Sequence, residues 1–543
     1  MPSPASSEST IAPQAEAEAD ACYLALKARD ARFDGRFFTG VTSTSIYCRP
    51  VCKVRTPKRE NCRFFALAAQ AESAGFRPCL RCRPELAPAS AAGSNGSAQA
   101  LQPWSTQDAS FILARQAAEL LDEPGLWSDG APSMADLAAR LGVSERHVRR
   151  IFEAHWGVSP LQYLQTRRLL MAKRLLTDTC LPVAQVAGLS GFASVRRFNA
   201  SFVQHYRLQP RQLRQNLDLK SDQSEPSAIV LKAAYRPPYD VAAMLGFFAI
   251  RQINGLEAVD LQRLTLSRTL ALVHGGHTLV GWVQAQFVPD ACTVMLHISP
   301  SLIEALPQVL ARLRALLDLD ADPYAINTAL QGDFPGCDGL RVPGCLDGFE
   351  LGVRAILGQQ ITVRAARTLG ARLVERLGTD LPHPANGLSR VFPTPGALAQ
   401  ASGDALGQLG IVRQRQLAIQ SLAQAVLEQR VILQPGVDIP TTLSALQALP
   451  GIGPWTAQYI AMRALRWPDA FVAGDVALQK ALGVRDAKRP AQAAEQASER
   501  WKPWRSYAVV RAWASLASPA KPSASPTTQT DPAKNTHQTL LKP

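Results

Sequence analysis

The stretch Leu449-Pro-Gly-Ile-Gly-Pro-Trp-Thr-Ala457 is followed closely by Phe471-Val-Ala-Gly-Asp-Val476. Apolar residues on both sides of a glycine pair predict a helix, a tight turn and a second helix. Gly451 and Gly453 carry no side chain, so backbone amides can approach a phosphate closely at a helix N-terminus, where the dipole favours anions. A Gly-x-Gly pair also serves as a plain turn. Asp475 stands 24 residues after Gly451. A carboxylate there can cap the helix that begins near Val476, or stabilise developing positive charge and help to activate water. The two roles can coexist.

Outward from this point, residues 346–517 read as helices broken by Gly and Pro. Residues 228–345 mix strand-like runs (Ala228 to Leu231, Thr278 to Phe287, Thr293 to Ile298) with a helical one (Ser301 to Leu317). Residues 218–227 read as a linker, 104–217 as all-helical, 89–103 as a Ser/Gly-rich linker and 20–88 as a compact unit. Residues 1–19 and 518–543 are expected to be disordered. The fold class is thus multidomain and mainly α, with a small α/β N-terminal domain and an α+β subdomain ahead of an all-α core. This suits 543 residues, 47% hydrophobic and 19% charged, at roughly 150 residues per domain. The longest apolar run, Val241 to Ile250, is far short of the ~20 residues a membrane span needs. Glu8, Glu16, Glu18 and Asp20 precede any apolar run, so no secretory signal is expected and a soluble cytoplasmic, nucleoid-associated protein is.

The net charge of +14 is concentrated. Residues 44–88 hold nine Lys/Arg against three Asp/Glu, and residues 134–216 thirteen against four. Two compact basic regions point to a polyanion, most simply nucleic acid. In the first, Cys48-Arg-Pro-Val-Cys52 and Cys79-Leu-Arg-Cys82 are separated by 26 residues. Such pairs can place Cys48, Cys52, Cys79 and Cys82 tetrahedrally about one Zn(II); Cys62 reads as core. The site is open to two readings. One is a structural staple for a small core. The other is a zinc-activated thiolate beside a phosphate-binding surface, with Arg49, Lys53, Arg55, Lys58, Arg59, Arg77, Arg81 and Arg83 nearby. In the second basic region, Met134 to Phe152 has helix-turn-helix grammar: Gly142 permits the turn, Ser144 caps the second helix, and Arg146, His147, Arg149 and Arg150 face outward. Pro182 to Phe202 repeats the design, with Arg196, Arg197 and Asn199 as candidate contacts.

These motifs carry resemblances. Phe37 to Cys52, Arg59-Glu-Asn61 and Gly75 to Cys82 are similar to the metal-binding domain of the Ada family. That resemblance makes Cys48 both a zinc ligand and the acceptor of methyl groups from DNA methylphosphotriesters, and puts Thr44, Lys53 and Arg77 on the DNA backbone. The tandem unit resembles AraC-type DNA-binding domains and implies promoter DNA and RNA polymerase as partners. Leu449 to Ala457 with Asp475 resembles the helix-hairpin-helix base-excision glycosylases, which implies a catalytic Asp475 and a structural Na or K ion on backbone carbonyls, here those of Gln447, Leu449 and Ile452. Family members that cleave the strand through a Schiff base carry Lys where this chain has Trp455, and the iron–sulfur branch has four C-terminal cysteines, whereas the last here is Cys345. Arg236-Pro-Pro-Tyr-Asp240, Arg341-Val-Pro-Gly-Cys345, Phe349 to Gln359 and Trp501 to Tyr507 are similar to the AlkA branch. It implies a TATA-binding-protein-like subdomain, a base pocket of Trp455, Tyr459 and Trp513, and Gln360 as the residue that fills the gap left by a flipped base. The competing reading of each aromatic is core packing.

The expected function is therefore a fused alkylation-damage protein: a glycosylase for alkylated purines of the 3-methyladenine type, joined to a methylphosphotriester-sensing transcription regulator. The alternative is a zinc-dependent regulator whose C-terminal domain binds DNA without catalysis. Direct reversal of alkylguanine is excluded, because its Pro-Cys-His-Arg acceptor motif is absent.

Overall fold

The computed structural model describes residues 13–89, 106–122, 133–215 and 228–517. The expected tail at 518–543, both linkers apart from Ala89, and residues 1–12 lie outside them. Residues 13–19, read from sequence as disordered, instead open the helix Pro13–Ala28. Alternating Ala and Glu favour a helix despite low hydrophobicity, and tertiary contacts hold it: Tyr23 donates to the Pro57 carbonyl (3.1 Å) and Arg59 pairs with Asp20 (2.7 Å).

The N-terminal unit is a four-stranded sheet in the order Cys62–Phe65, Phe38–Val41, Ile46–Cys48, Arg77–Pro78, with only the last pair parallel. Its core is small: Phe38, Tyr47, Ala68, Ala71 and Phe76, closed by Leu170 from the next unit.

Among the described residues, seven helices follow the first linker: Thr106–Asp122, Met134–Leu141, Glu145–Trp156, Pro160–Asp178, Val183–Leu189, Val195–Tyr206 and Pro210–Gln215. The sequence signals act as read. Gly142 is left-handed (φ +66°), Ser144 accepts from the His147 amide, and Ser194 repeats the cap on the Arg197 amide. Ser159 and Gln162 form a reciprocal capping box that starts the long connecting helix Pro160–Asp178.

The next unit is a five-stranded antiparallel sheet in the order Ile229–Ala234, Thr293–Ile298, His277–Val288, Thr265–His274, Glu257–Asp260. The helices Val241–Ala249 and Leu306–Leu316 bury Met244, Leu245, Val309 and Leu313 in its core. That core runs on without a break into Leu169, Leu176, Phe198 and Phe202 of the helical unit.

Residues 346–517 are helical with one exception to the sequence reading. Thr379–Ala385 and Leu388–Val391 form a hairpin. Its turn is Asn386-Gly387, both at positive φ (+54° and +76°), the pairing that a tight hairpin turn demands. Leu381, Leu388 and Val391 pack on Ala271, Val280 and Trp282 of the large sheet, so the hairpin joins the two parts of the C-terminal half.

Candidate functional site

Helix Ile439–Gln447, a turn and helix Pro454–Arg463 form the expected hairpin. Gly451 is left-handed (φ +79°), and a Cβ there would meet Ala418 Cβ at 2.8 Å. Gly453 is exposed, and a Cβ on it would meet nothing. The first glycine is thus required by the fold, while the second leaves the helix N-terminus open to an outside anion.

The second helix carries Trp455 and Tyr459 one turn apart, stacked at 5.2 Å between centroids and 9° between planes. Trp513, from helix Arg505–Ala517, lies 6.4 Å from Tyr459. Asp475 closes the group. Its Oδ1 accepts from the Leu478 amide (2.7 Å), as the cap of Val476–Ala481, and from Trp513 Nε1 (3.1 Å). Its Oδ2 accepts from Trp455 Nε1 (3.0 Å). The carboxylate is half-buried, so capping and access coexist. Two indole N–H groups and a backbone amide fix its orientation.

Residues that sequence reading passed over support this cluster. Arg463 donates to the Tyr459 hydroxyl (2.6 Å) and to the carbonyls of Pro343 and Gly344. Burial alone would raise the Tyr459 phenol, but the Arg463 and Arg251 guanidiniums outweigh it and hold it below its ordinary value. Arg251 also lies 3.7 Å over the Phe247 ring. Gln359 donates to the Gly451 carbonyl and to Thr456 Oγ1, both at 2.9 Å, and so ties the exposed, left-handed Gln360 (φ +54°) to the hairpin. Upstream, helix Gly348–Leu357 is clamped to the large sheet by the buried set Glu257, Arg268, Glu350 and Arg354. Glu350 and Arg354 are visible in the sequence as an i, i+4 pair, but Arg268 lies 82 residues before Glu350 and Glu257 97 before Arg354, beyond the reach of local reading.

At the other end, the sulfurs of Cys48, Cys52, Cys79 and Cys82 all lie within 4.8 Å of one another. Mutual hydrogen bonding pushes the Cys48 thiol up and pulls the Cys52 thiol down. Four convergent soft donors fit Zn(II), and the chain carries this zinc site. Cys62 donates to the Lys58 carbonyl and stays outside the cluster. Cys48 itself is only 5% exposed.

Thr44 and Lys53 are exposed and Arg77 half-exposed; Thr44 sits in the turn between the strands ending at Val41 and starting at Ile46. Two cations expected on the phosphate surface are not there. Arg49 is buried on Asp34 and donates to the Cys82 carbonyl, and Arg83 pairs with Glu85 and Asp178. Carboxylates distant in sequence claimed them. In the helical unit Arg146, Arg149, Arg150, Arg196 and Arg197 are exposed, with His147 and Asn199 half-exposed.

Comparison with known proteins agrees region by region. Family models match residues 21–85 (metal binding domain of Ada), 137–216 (helix-turn-helix domain), 230–347 (AlkA N-terminal domain) and 353–506 (HhH-GPD superfamily base excision DNA repair protein). A protein of Mycobacterium tuberculosis described as a probable bifunctional transcriptional activator/DNA repair enzyme AlkA is 36% identical over 510 residues, 92% of this chain and 96% of that one. DNA-3-methyladenine glycosylase 2 of Escherichia coli is 37% identical over 281 residues, 51% of this chain and 95% of its own. The solved 3-methyladenine DNA-glycosylase of Archaeoglobus fulgidus aligns with a TM-score of 0.43 at 20% identity, covering 52% of this chain and 96% of that one. The chain belongs to the family of bifunctional transcriptional activator/DNA repair enzymes that join an Ada-type zinc domain and helix-turn-helix to an AlkA-type glycosylase.

Proposed function

We propose that the C-terminal half hydrolyses the N-glycosidic bond of alkylated purines in double-stranded DNA, with Asp475 as its catalytic carboxylate. The observation that carries this is the Asp475 carboxylate held by two indole N–H groups beside three aromatic rings. A methylated purine is cationic, and aromatic faces attract cations. Turned out of the stack, such a base would lie against Trp455, Tyr459 and Trp513, with Gln360 entering the vacated space. The bond electrons leave with the already charged base, so no general acid is needed. Asp475 stabilises the oxocarbenium-like sugar, and water adds to the anomeric carbon as its proton passes to the carboxylate or to solvent. Trp455 leaves no amine for a Schiff base, so the strand stays intact. Gly453 and the turn amides receive a phosphate. Carbonyls of Gln447, Leu449 and Ile452 are offered to a Na or K ion. The test is release of free 3-methyladenine from methylated DNA. Asp475→Asn should lower it by 10²-fold or more while DNA affinity is kept; equal release by both proteins, or none by the wild type, would leave the C-terminal half a DNA-binding module.

In the N-terminal half, Cys48 is the acceptor. Its sulfur bonds the methyl carbon of a phosphotriester, and the C–O bond breaks to leave a phosphodiester anion. Zinc, when bound, keeps the sulfurs deprotonated at neutral pH. Thr44, Lys53 and Arg77 would hold the flanking phosphates. The outward faces of the two helix-turn-helix units, with Arg146, His147, Arg149, Arg150, Arg196, Arg197 and Asn199, read promoter DNA and place the chain on the nucleoid beside RNA polymerase. Methylation removes a negative charge near phosphates, so DNA affinity rises. Incubation with methylphosphotriester DNA should add one methyl mass to wild type and none to Cys48→Ser, and should strengthen the wild-type gel shift at fixed salt. Methylation without a stronger shift would refute the switch alone.

A further inference from the structure

A cleft of about 780 Å³ opens where the zinc unit, the helical unit and the large sheet's helices meet. It lies apart from both sites described above. Its walls are largely apolar, with Phe38, Leu67, Leu121, Leu170, Met171 and Leu310 among them. Its charges do not balance. Of the lining carboxylates, Asp122 is taken by Arg167, and Glu85 by Lys173 and Arg83. Glu304 is exposed. Among the lining guanidiniums, Arg314 is paired with Asp320.

Among the described residues neither Arg168 nor Arg174 forms an ion pair, although Asp178 and Glu85 lie near Arg174. Arg174 is 5% exposed; one terminal nitrogen donates to the Lys232 carbonyl, and its Nε finds no acceptor. Burial first, and the nearby Arg314 charge second, lower it to about 10, so it remains a cation at neutral pH. Its helical neighbour Asp178 is engaged by Arg83. Arg168 lies against Gly191, where a Cβ would meet its Nε at 2.9 Å. Among the described residues it forms no ion pair, and burial lowers it too. Two more polar atoms of lining residues lack partners, Ser190 Oγ and His274 Nδ1.

A buried cation without a direct ion pair is costly, and an anion supplied from outside reduces that cost. The volume falls within the range that takes a small organic ligand. We propose that this cleft binds a small amphipathic anion, its carboxylate or phosphate head on Arg168 and Arg174 and its apolar body along the Phe38, Leu121 and Leu310 walls. Such a ligand touches all three units at once, so its binding stabilises their assembly.

The probes are decanoate and decyl phosphate, each below its micelle-forming concentration, titrated calorimetrically into the full-length zinc-loaded protein, with decanol as the uncharged control. Two variants test the location. Arg168→Gln removes a cation that has no ion-pair partner to lose. Gly188→Phe puts bulk on a lining residue where a Cβ would meet nothing within 4 Å. Saturable one-to-one binding of either anion is expected, at least tenfold tighter than decanol and weakened at least tenfold by each folded variant, as judged by circular dichroism. The tighter of the two anions identifies the head group. No saturable binding of either anion, equal binding of decanol, or wild-type affinity in both variants overturns the site.

Discussion

Asp475 takes three hydrogen bonds, and the two from indoles separate positioning from charge. Trp513→Phe keeps the ring near Tyr459 and removes only the donor to Oδ1. Hydrogen bonds to charged groups contribute about 1.5–3 kcal/mol, so single-turnover base release should slow by roughly ten- to a hundredfold. Affinity for DNA carrying an abasic site should change much less. An unchanged rate would mean that the helix cap and Trp455 orient the carboxylate without Trp513. Trp455 and Asp475 stand in motifs legible in the sequence, while Tyr459 and Trp513 followed only from the AlkA resemblance. The sequence did not show that the tryptophans donate to the aspartate, since 38 residues separate Trp513 from Asp475. Gln359 was quoted only as the end of a motif, and its two bonds to the hairpin became visible only with the fold.

At the scale of elements, the short helix Ala68–Ser73 meets the long helix Pro160–Asp178 through one acid. Glu72 is buried, accepts from Tyr47 (2.9 Å) and Thr166 (2.7 Å), and has His205 Nδ1 at 3.6 Å. Burial first, against the favourable hydrogen bonds and Lys173, raises it from 4.5 to about 7. The folded protein therefore holds this proton more tightly than the unfolded chain does. Stability from the group is full below pH 4.5 and is lost as pH rises to about 7, a swing of about 3 kcal/mol. Glu72→Gln should leave the melting temperature little changed at pH 4.5 and raise it relative to wild type at pH 8. A parallel pH profile for the two proteins would show that Glu72 is not the titrating group. The hairpin at 379–391 teaches a related lesson. Its Asn-Gly turn was present in the sequence, but a run of helical periodicity on either side masked it.

Over the whole molecule, Arg236 fastens the zinc unit to the C-terminal half, beside the Arg36–Asp322 ion pair. Arg236 is 1% exposed and donates to carbonyls of Asp34, Pro88, Ala89, Asp320 and Ala321. The Asp34 carboxylate in turn holds Arg49, whose amide donates to Cys82 Sγ (3.3 Å). Arg236→Ala would leave five carbonyls short of a donor, each costing about 1–3 kcal/mol if it stays dry. Scanning calorimetry of this variant should show the zinc unit melting as a separate, earlier transition that chelators move further down, whereas wild type should unfold with the zinc unit coupled to the rest. A single unshifted transition would show that the remaining contacts, the Arg36–Asp322 pair among them, suffice without it.

Local grammar determined the order of the units, the cysteine set, the paired helix-turn-helix, the hairpin glycines and the acid that follows them. These depend on turn chemistry, capping and short spacings, all of which act over a few residues. The fold alone decided which cations remain free. Arg49 and Arg83 were drawn inward by Asp34, Glu85 and Asp178, while Arg168 and Arg174 have no ion-pair partner among the described residues. Charge pairing depends on distance in space, and that distance is set only when units far apart in the chain close on one another.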